Sequence, residues 1–115
     1  MTVSMEDVRR MLDPEEPNYE AVGQLGLEAL PHLEALVAGD DPMLASKAAY
    51  AASLLEGAAG REVVLAAARS DDLTVQVAAA SAARNLPAPA AREVLARLLN
   101  HDDPGIRKVA RESEH

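Results

Sequence analysis

An Asp-Asp pair occurs three times in this chain, at Asp40-Asp41, Asp71-Asp72 and Asp102-Asp103, with a spacing of 31 residues both times. The flanks repeat in the same register. Upstream, Leu33, Val64 and Leu95 align, as do Leu36, Ala67 and Leu98, and Val37, Ala68 and Leu99. Downstream, Leu44, Val75 and Ile106 align, followed by Ala48, Ala79 and Ala110, while Ala52 matches Ala83 and Leu55 matches Leu86. Apolar positions recurring at a fixed period of a few tens of residues are the mark of a repeat architecture, in which one supersecondary unit is copied and stacked.

Inside each unit the apolar spacing is helical. Leu33, Leu36 and Val37 stand at i, i+3 and i+4, and Val75, Ala79, Ala82, Ala83 and Leu86 continue such a stripe over three turns. Each unit therefore reads as helix, short turn, helix and a loop to the next. Such a pair cannot bury its apolar face alone, and stacking neighbours supplies the missing cover. The second Asp of each pair is placed to cap the second helix, its carboxylate accepting from unpaired backbone N–H groups at the positive end of the helix dipole. Pro42 and Pro104 follow at the first helical position, where proline fits. A calcium loop would need alternating ligands, a Gly and a closing Glu, and none follow the pairs.

The composition agrees. The chain has 24 Ala, no Phe, no Trp and only Tyr19 and Tyr50, which favours helices packed closely through small side chains over strands. Its 115 residues suit one domain, with the units at 27–56, 57–87 and a shortened 88–115. Residues 1–26 read as a degenerate first unit. Ser4 to Leu12 forms a helix, with Ser4 and Asp7 as a capping box; Asp13-Pro14-Glu15-Glu16-Pro17 interrupts it, and Asn18 to Leu25 gives a second short helix. Further breaks are expected at Gly57–Gly60 and at Pro87-Ala88-Pro89, and the last helix runs out by His115.

At this point the chain resembles the HEAT-repeat family, in particular the short bacterial repeats related to phycobilisome-lyase HEAT-like proteins. The segment Leu98-Leu99-Asn100-His101-Asp102-Asp103-Pro104-Gly105-Ile106-Arg107-Lys108-Val109-Ala110 is the most similar to the family's pattern of apolar residues, turn Asp, apolar residue, Arg and small residues. Asp72 with Val75, Ala79 and Ala80, and Pro31-His32-Leu33 leading to Asp41, Leu44, Ala48 and Ala49, are similar. The pattern departs at the Arg position, where Ala45 and Gln76 stand and only Arg107 matches. The resemblance implies an all-α fold, a right-handed α-α superhelix (a HEAT-like solenoid) of about three helix pairs plus the degenerate N-terminal unit. It also implies a protein-binding scaffold whose usual binding surface is the concave face, lined by the second helices.

Charge narrows the partners. Residues 1–40 hold nine acids and two bases, giving −7, while residues 41–115 hold ten acids and nine bases, giving −1. An acidic end repels phosphate, so nucleic acid and anionic membranes are disfavoured. Without cysteine there is no thiol chemistry, Cys-zinc site or disulfide framework. His32, His101 and His115 are not paired at ligand spacing, no serine has a histidine partner in register, and no Gly-rich phosphate loop is present. The expectation is a cytoplasmic interaction module with no catalysis, no cofactor and no metal. The alternatives are a nucleic-acid-associated HEAT-like protein, or a lyase-type accessory acting on a small molecule.

The candidate binding stripe lies five, nine and twelve residues after each capping Asp, spacings that share one helix face. It comprises Ser46, Tyr50 and Ser53, then Val77, Ser81 and Arg84, then Lys108, Glu112 and His115, with Lys47 on its border. Tyr and Arg are enriched at interface hot spots, and Val77 is an apolar residue on a polar strip. Lys47, Tyr50, Arg84 and Lys108 together would form a mildly basic surface suited to an acidic segment, for which the chain's own N-terminal unit is one candidate. The C-terminal edge, where Ile106, Val109 and Ala110 are expected to lack cover, is a second candidate for self-association or docking.

Overall fold

A computed structural model describes residues 3–14 and 16–114, and among these there is no strand. Eight helices follow one another: α1 (Met5–Leu12), α2 (Tyr19–Leu25), α3 (Leu30–Val37), α4 (Pro42–Ser53), α5 (Arg61–Ala68), α6 (Leu73–Ala82), α7 (Ala88–Leu99) and α8 (Pro104–Glu112). Short 3-10 turns, Gly26–Ala29 and Ala83–Asn85, precede α3 and follow α6. The helices pack as antiparallel pairs whose members form two layers: α3, α5 and α7 lie side by side in one, α4, α6 and α8 in the other. The α1–α2 pair packs on α3 and α4.

Each repeated Asp starts a helix as the sequence requires. Asp41 Oδ1 accepts from Met43 N–H at 3.0 Å and Leu44 N–H at 3.1 Å. Asp72 Oδ1 accepts from Thr74 and Val75, and Asp103 Oδ1 from Gly105 and Ile106, in the same two-donor arrangement. The neighbouring turn residues repeat as well. Asp72 N–H donates to Ser70 Oγ at 3.1 Å, and Asp103 N–H to His101 Nδ1 at 2.9 Å. One position further into the helix, Gln76 Nε2 donates to the Ser70 carbonyl, and Arg107 Nη1 to the carbonyls of His101 (2.6 Å) and Asp102 (3.0 Å). Gln76 thus takes the place of Arg107 one unit earlier, and both side chains tie a helix to its own preceding turn. The first unit has Gly39 and Ala45 at these positions and makes neither bond. Removing one Asp cap by Ala should cost about 1 kcal/mol. Asp41→Ala, with only its cap to hold the turn, should lose more in a urea melt than Asp72→Ala or Asp103→Ala, whose turns keep the Gln76 or Arg107 bond.

The N-terminal helix is closed by the expected capping box, with Asp7 N–H donating to Ser4 Oγ at 3.1 Å and Ser4 N–H to Asp7 Oδ2 at 3.4 Å. Hydrogen bonding from Ser4, its side chain first and then its backbone, holds the Asp7 carboxyl below the usual carboxylate range. Asn18 caps α2 through Ala21 N–H. The Pro87-Ala88-Pro89 segment, expected as a break, is the start of α7: Pro87 is its N-cap and Pro89 sits in its first turn, where no intrahelical N–H is lost.

The core runs between the two layers. Leu33, Val64, Leu95 and Leu98 project into it from one layer, and Leu44, Val75 and Ile106 from the other. Leu55 and Leu86, equivalent residues just past α4 and the α6 turn, are also buried. Ile106 and Ala110 are buried too, so the expectation that α8 lacks cover is corrected: both face α6 and α7, and only Val109 of that trio is partly exposed.

Candidate functional site

The layer of α4, α6 and α8 carries the sequence-predicted stripe, and stacking sets its rows beside one another. Ser46, Val77 and Lys108 are equivalent positions, as are Tyr50, Ser81 and Glu112. The structure divides these residues into two groups.

One group is used to join the units. Lys47 Nζ donates to the carbonyls of Asp13 (3.2 Å) and Pro14 (3.0 Å), just past the C-terminus of α1, where helix carbonyls lack intrahelical donors and carry partial negative charge. The Tyr50 ring lies 4.9 Å from that of Tyr19 at a tilted 54°, within the range of favourable aromatic pairs. Burial, then the neighbouring Tyr50, pushes the Tyr19 phenol up from its ordinary value. Arg84 Nη2 donates to the Glu112 carbonyl at 3.2 Å. Ser53, read as a surface position, is instead buried: its hydroxyl donates to the Tyr50 carbonyl and accepts from Asn85 Nδ2 at 3.1 Å. Its position is the last residue of α4, where the chain turns inward and the helical stripe no longer defines the surface. Among the described residues, the N-terminal unit meets the Lys47–Tyr50 end of the face through two backbone carbonyls and one ring.

The other group remains on the surface. Val77 is 37% exposed, Lys108 and Glu112 are exposed, and Ser81 is half-buried. Ser46 is half-buried with its hydroxyl oxygen enclosed. His115 of the stripe lies outside the described residues. Two residues that the stripe omitted belong with Val77: Leu73, 50% exposed, and Met43, 64% exposed. Leu73 precedes Val77 by one turn of α6, and Met43 occupies the first turn of α4, the helix that packs on α6. A signal for them was present in the register. Leu73 stands where Pro42 and Pro104 start the other two helices, a position that packing does not require to be apolar.

Among the described residues no group of three or more His, Cys, Asp or Glu side chains could hold a metal ion, and no helix is long and apolar enough to cross a membrane. His32 Nε2 donates to the Val3 carbonyl at 2.7 Å and His101 accepts in its turn, so both are engaged in structure. The ion pairs are peripheral: Arg61 with Glu62 at 2.8 Å and Glu93 at 3.2 Å, and Arg10 with Asp7 at 3.6 Å and Glu6 at 4.0 Å. No family model, no curated protein and no solved structure matches the chain.

Proposed function

We propose that this chain is a protein-binding module, acting by surface complementarity and not by catalysis, and that its partner docks on the layer of α4, α6 and α8. The observation that carries the reading is that Met43 on α4 and Leu73 and Val77 on α6 are exposed large apolar side chains with no role in the core. Large apolar side chains gathered on one face mark docking surfaces in soluble proteins. In this reading Ser46, Ser81, Lys108 and Glu112 form the polar surround, while Lys47, Tyr50 and Arg84 contribute by holding the units rigid. The HEAT-like solenoid reading belongs here too. It is supported by the 31-residue register, the two-layer order of the helices and a long axis of 42 Å against 27 and 21 Å. A right-handed superhelix and a cytoplasmic setting are the corresponding proposals.

The test is affinity capture from the source lysate with the native chain and a Leu73→Asp/Val77→Asp double variant. Exposed substitutions of this kind change stability by about 0.5 kcal/mol or less each, so circular dichroism should find the fold intact. Burying a leucine or valine side chain is worth about 1.5 kcal/mol or more, so losing both should weaken binding of the captured protein roughly 100-fold or more. Equal retention by both baits would rule this face out.

A further inference from the structure

The cleft between the first and second full units is wider than its counterpart one repeat on, and the repeat register identifies what it lacks. The cleft between the turns after α3 and α5 measures ≈ 530 Å³. The one between the turns after α5 and α7 measures ≈ 350 Å³, and Gln76 stands in its wall. At the place of Gln76 the wider cleft has Ala45, and at the place of Ser70 it has Gly39. In the second and third units a side chain from this position reaches back to the turn carbonyls. Gln76 donates to that of Ser70, and Arg107 to those of His101 at 2.6 Å and Asp102 at 3.0 Å. The equivalent carbonyls of the first unit, on Gly39 and Asp40, accept no hydrogen bond among the described residues. The turn enters its second helix alike in all three units, with Asp41, Asp72 and Asp103 extended at ψ of 102°, 125° and 122°. The first unit thus keeps the acceptors and has lost the donor.

We infer that the wider cleft is a guanidinium site. Its ligand is an arginine side chain of a partner protein, placed on the Gly39 and Asp40 carbonyls as Arg107 is placed on those of His101 and Asp102. The inference rests on the reading of the chain as a protein-binding module. Charge favours a cation here. Asp40, Asp71 and Asp72 line the cleft against one base, Arg69. Asp40, Asp71 and Arg69 are exposed and make no ion pair among the described residues. The last carbonyls of α3 and α5 add partial negative charge at the same place. The N-termini of α4 and α6, which oppose a cation, are already met by the carboxylates of Asp41 and Asp72.

A metal ion is the weaker occupant, because among the described residues no group of three acidic or histidine side chains could hold one. Arginine suits the cleft better than lysine. Its planar fork of donors fits neighbouring acceptors, and Ala38, Pro42 and Ala66 offer apolar surface to its stem. The cleft also adjoins the proposed docking residues in sequence. Pro42 and Asp72 line it, and they immediately precede the exposed Met43 and Leu73. A partner segment with an arginine beside apolar residues would engage both.

The probe is N-acetyl-arginine amide, titrated into the isotopically labelled full chain beside its uncharged citrulline counterpart. Saturable amide shifts are expected at Gly39, Asp40 and Ala45, with the citrulline compound binding about tenfold more weakly. Asp40→Asn/Asp71→Asn, both at exposed positions, should weaken the arginine amide about fivefold, and Arg69→Ala should tighten it. Ala45→Gln, which supplies from within the side chain that the second unit has, should abolish probe binding and weaken the captured partner about tenfold. No shifts, equal binding of the citrulline compound, or unaltered binding by Ala45→Gln would overturn the inference. Unaltered binding by Asp40→Asn/Asp71→Asn would overturn it even where Ala45→Gln fails to fold. Capture that is lost with Leu73→Asp/Val77→Asp but unchanged by Ala45→Gln would remove this site and leave the module reading in place. Saturable arginine binding with no protein captured would do the reverse.

Discussion

Gly60→Ala is expected to destabilise the chain by about 3 kcal/mol or more, a large share of the 5–15 kcal/mol that holds a domain of this size together. Gly60 is the N-cap of α5, with a φ of −86° that any residue can adopt, so its need for glycine is not conformational. The cause is contact. A Cβ at this position would stand 1.9 Å from the carbonyl oxygen of Ala52 and 2.4 Å from its carbonyl carbon. Both atoms are backbone in the last turn of α4, so relief requires moving α4 against α5, and with them the packing of α4 on α6. Gly57, three residues earlier in the same connection, makes the comparison. Its φ is +59° and nothing lies within 4 Å of its missing side chain. Gly57→Ala meets only the left-handed backbone cost, about 1 kcal/mol. Urea denaturation of both variants, followed by circular dichroism, should show Gly60→Ala far below Gly57→Ala. The opposite order would mean that α4 and α5 separate easily and that their close approach does not fix the stacking.

The register that identified the repeats also contained this result. Ala29, Gly60 and Ala91 occupy equivalent places, all three buried, so a small residue is required there in every unit. That one of them had to be glycine depends on how near two backbones come, and no spacing of side chains encodes that distance. The same limit separates what was legible in the binding stripe from what was not. The Asp caps, the Ser4 capping box and the helix spans depend on neighbours within four residues, and the sequence states them directly. Lys47, Tyr50 and Arg84 find partners 28 to 34 residues away, and the partners of the first two lie in the irregular N-terminal unit. There the cap-to-cap distance, Asn18 to Asp41, is 23 residues instead of 31, so the register stops predicting who meets whom. Ser53 failed for a different reason. Extrapolating a helical face is valid only while the helix continues, and α4 ends on that residue. The uncovered edge was expected on α8 because that helix is short. Ile106 and Ala110 of α8 are buried, whereas on α7 Ala96 is exposed and Leu99 half-buried.

Leu98→Ala should cost about 4 kcal/mol, near the upper end for removing a buried leucine side chain. The reason is the composition of the core. Among the described residues 15 of the 31 buried hydrophobic side chains are alanine, so much of the apolar volume rests on a few larger ones. Leu12, Leu33, Leu98 and Ile106 are the largest that are fully enclosed. When such a side chain is truncated, surrounding leucines or phenylalanines in an ordinary core can rotate into part of the space. Alanine has no side-chain rotamer to change, and helices already in backbone contact cannot close further without clashing. The cavity therefore persists, and the loss tracks its full volume. Leu99→Ala provides the control one residue away. Leu99 is half-buried, on the open side of α7, and truncating it exposes surface without enclosing a void, so about 1 kcal/mol is expected. Alanine is a marginally better helix former than leucine, and that difference acts equally on both. Thermal and urea unfolding of the pair should separate them by about 3 kcal/mol. A loss at Leu98 of about 1.5 kcal/mol or less would mean that the alanine layers do slide together to fill the space, and that the stack is held by many small contacts instead of a few large side chains.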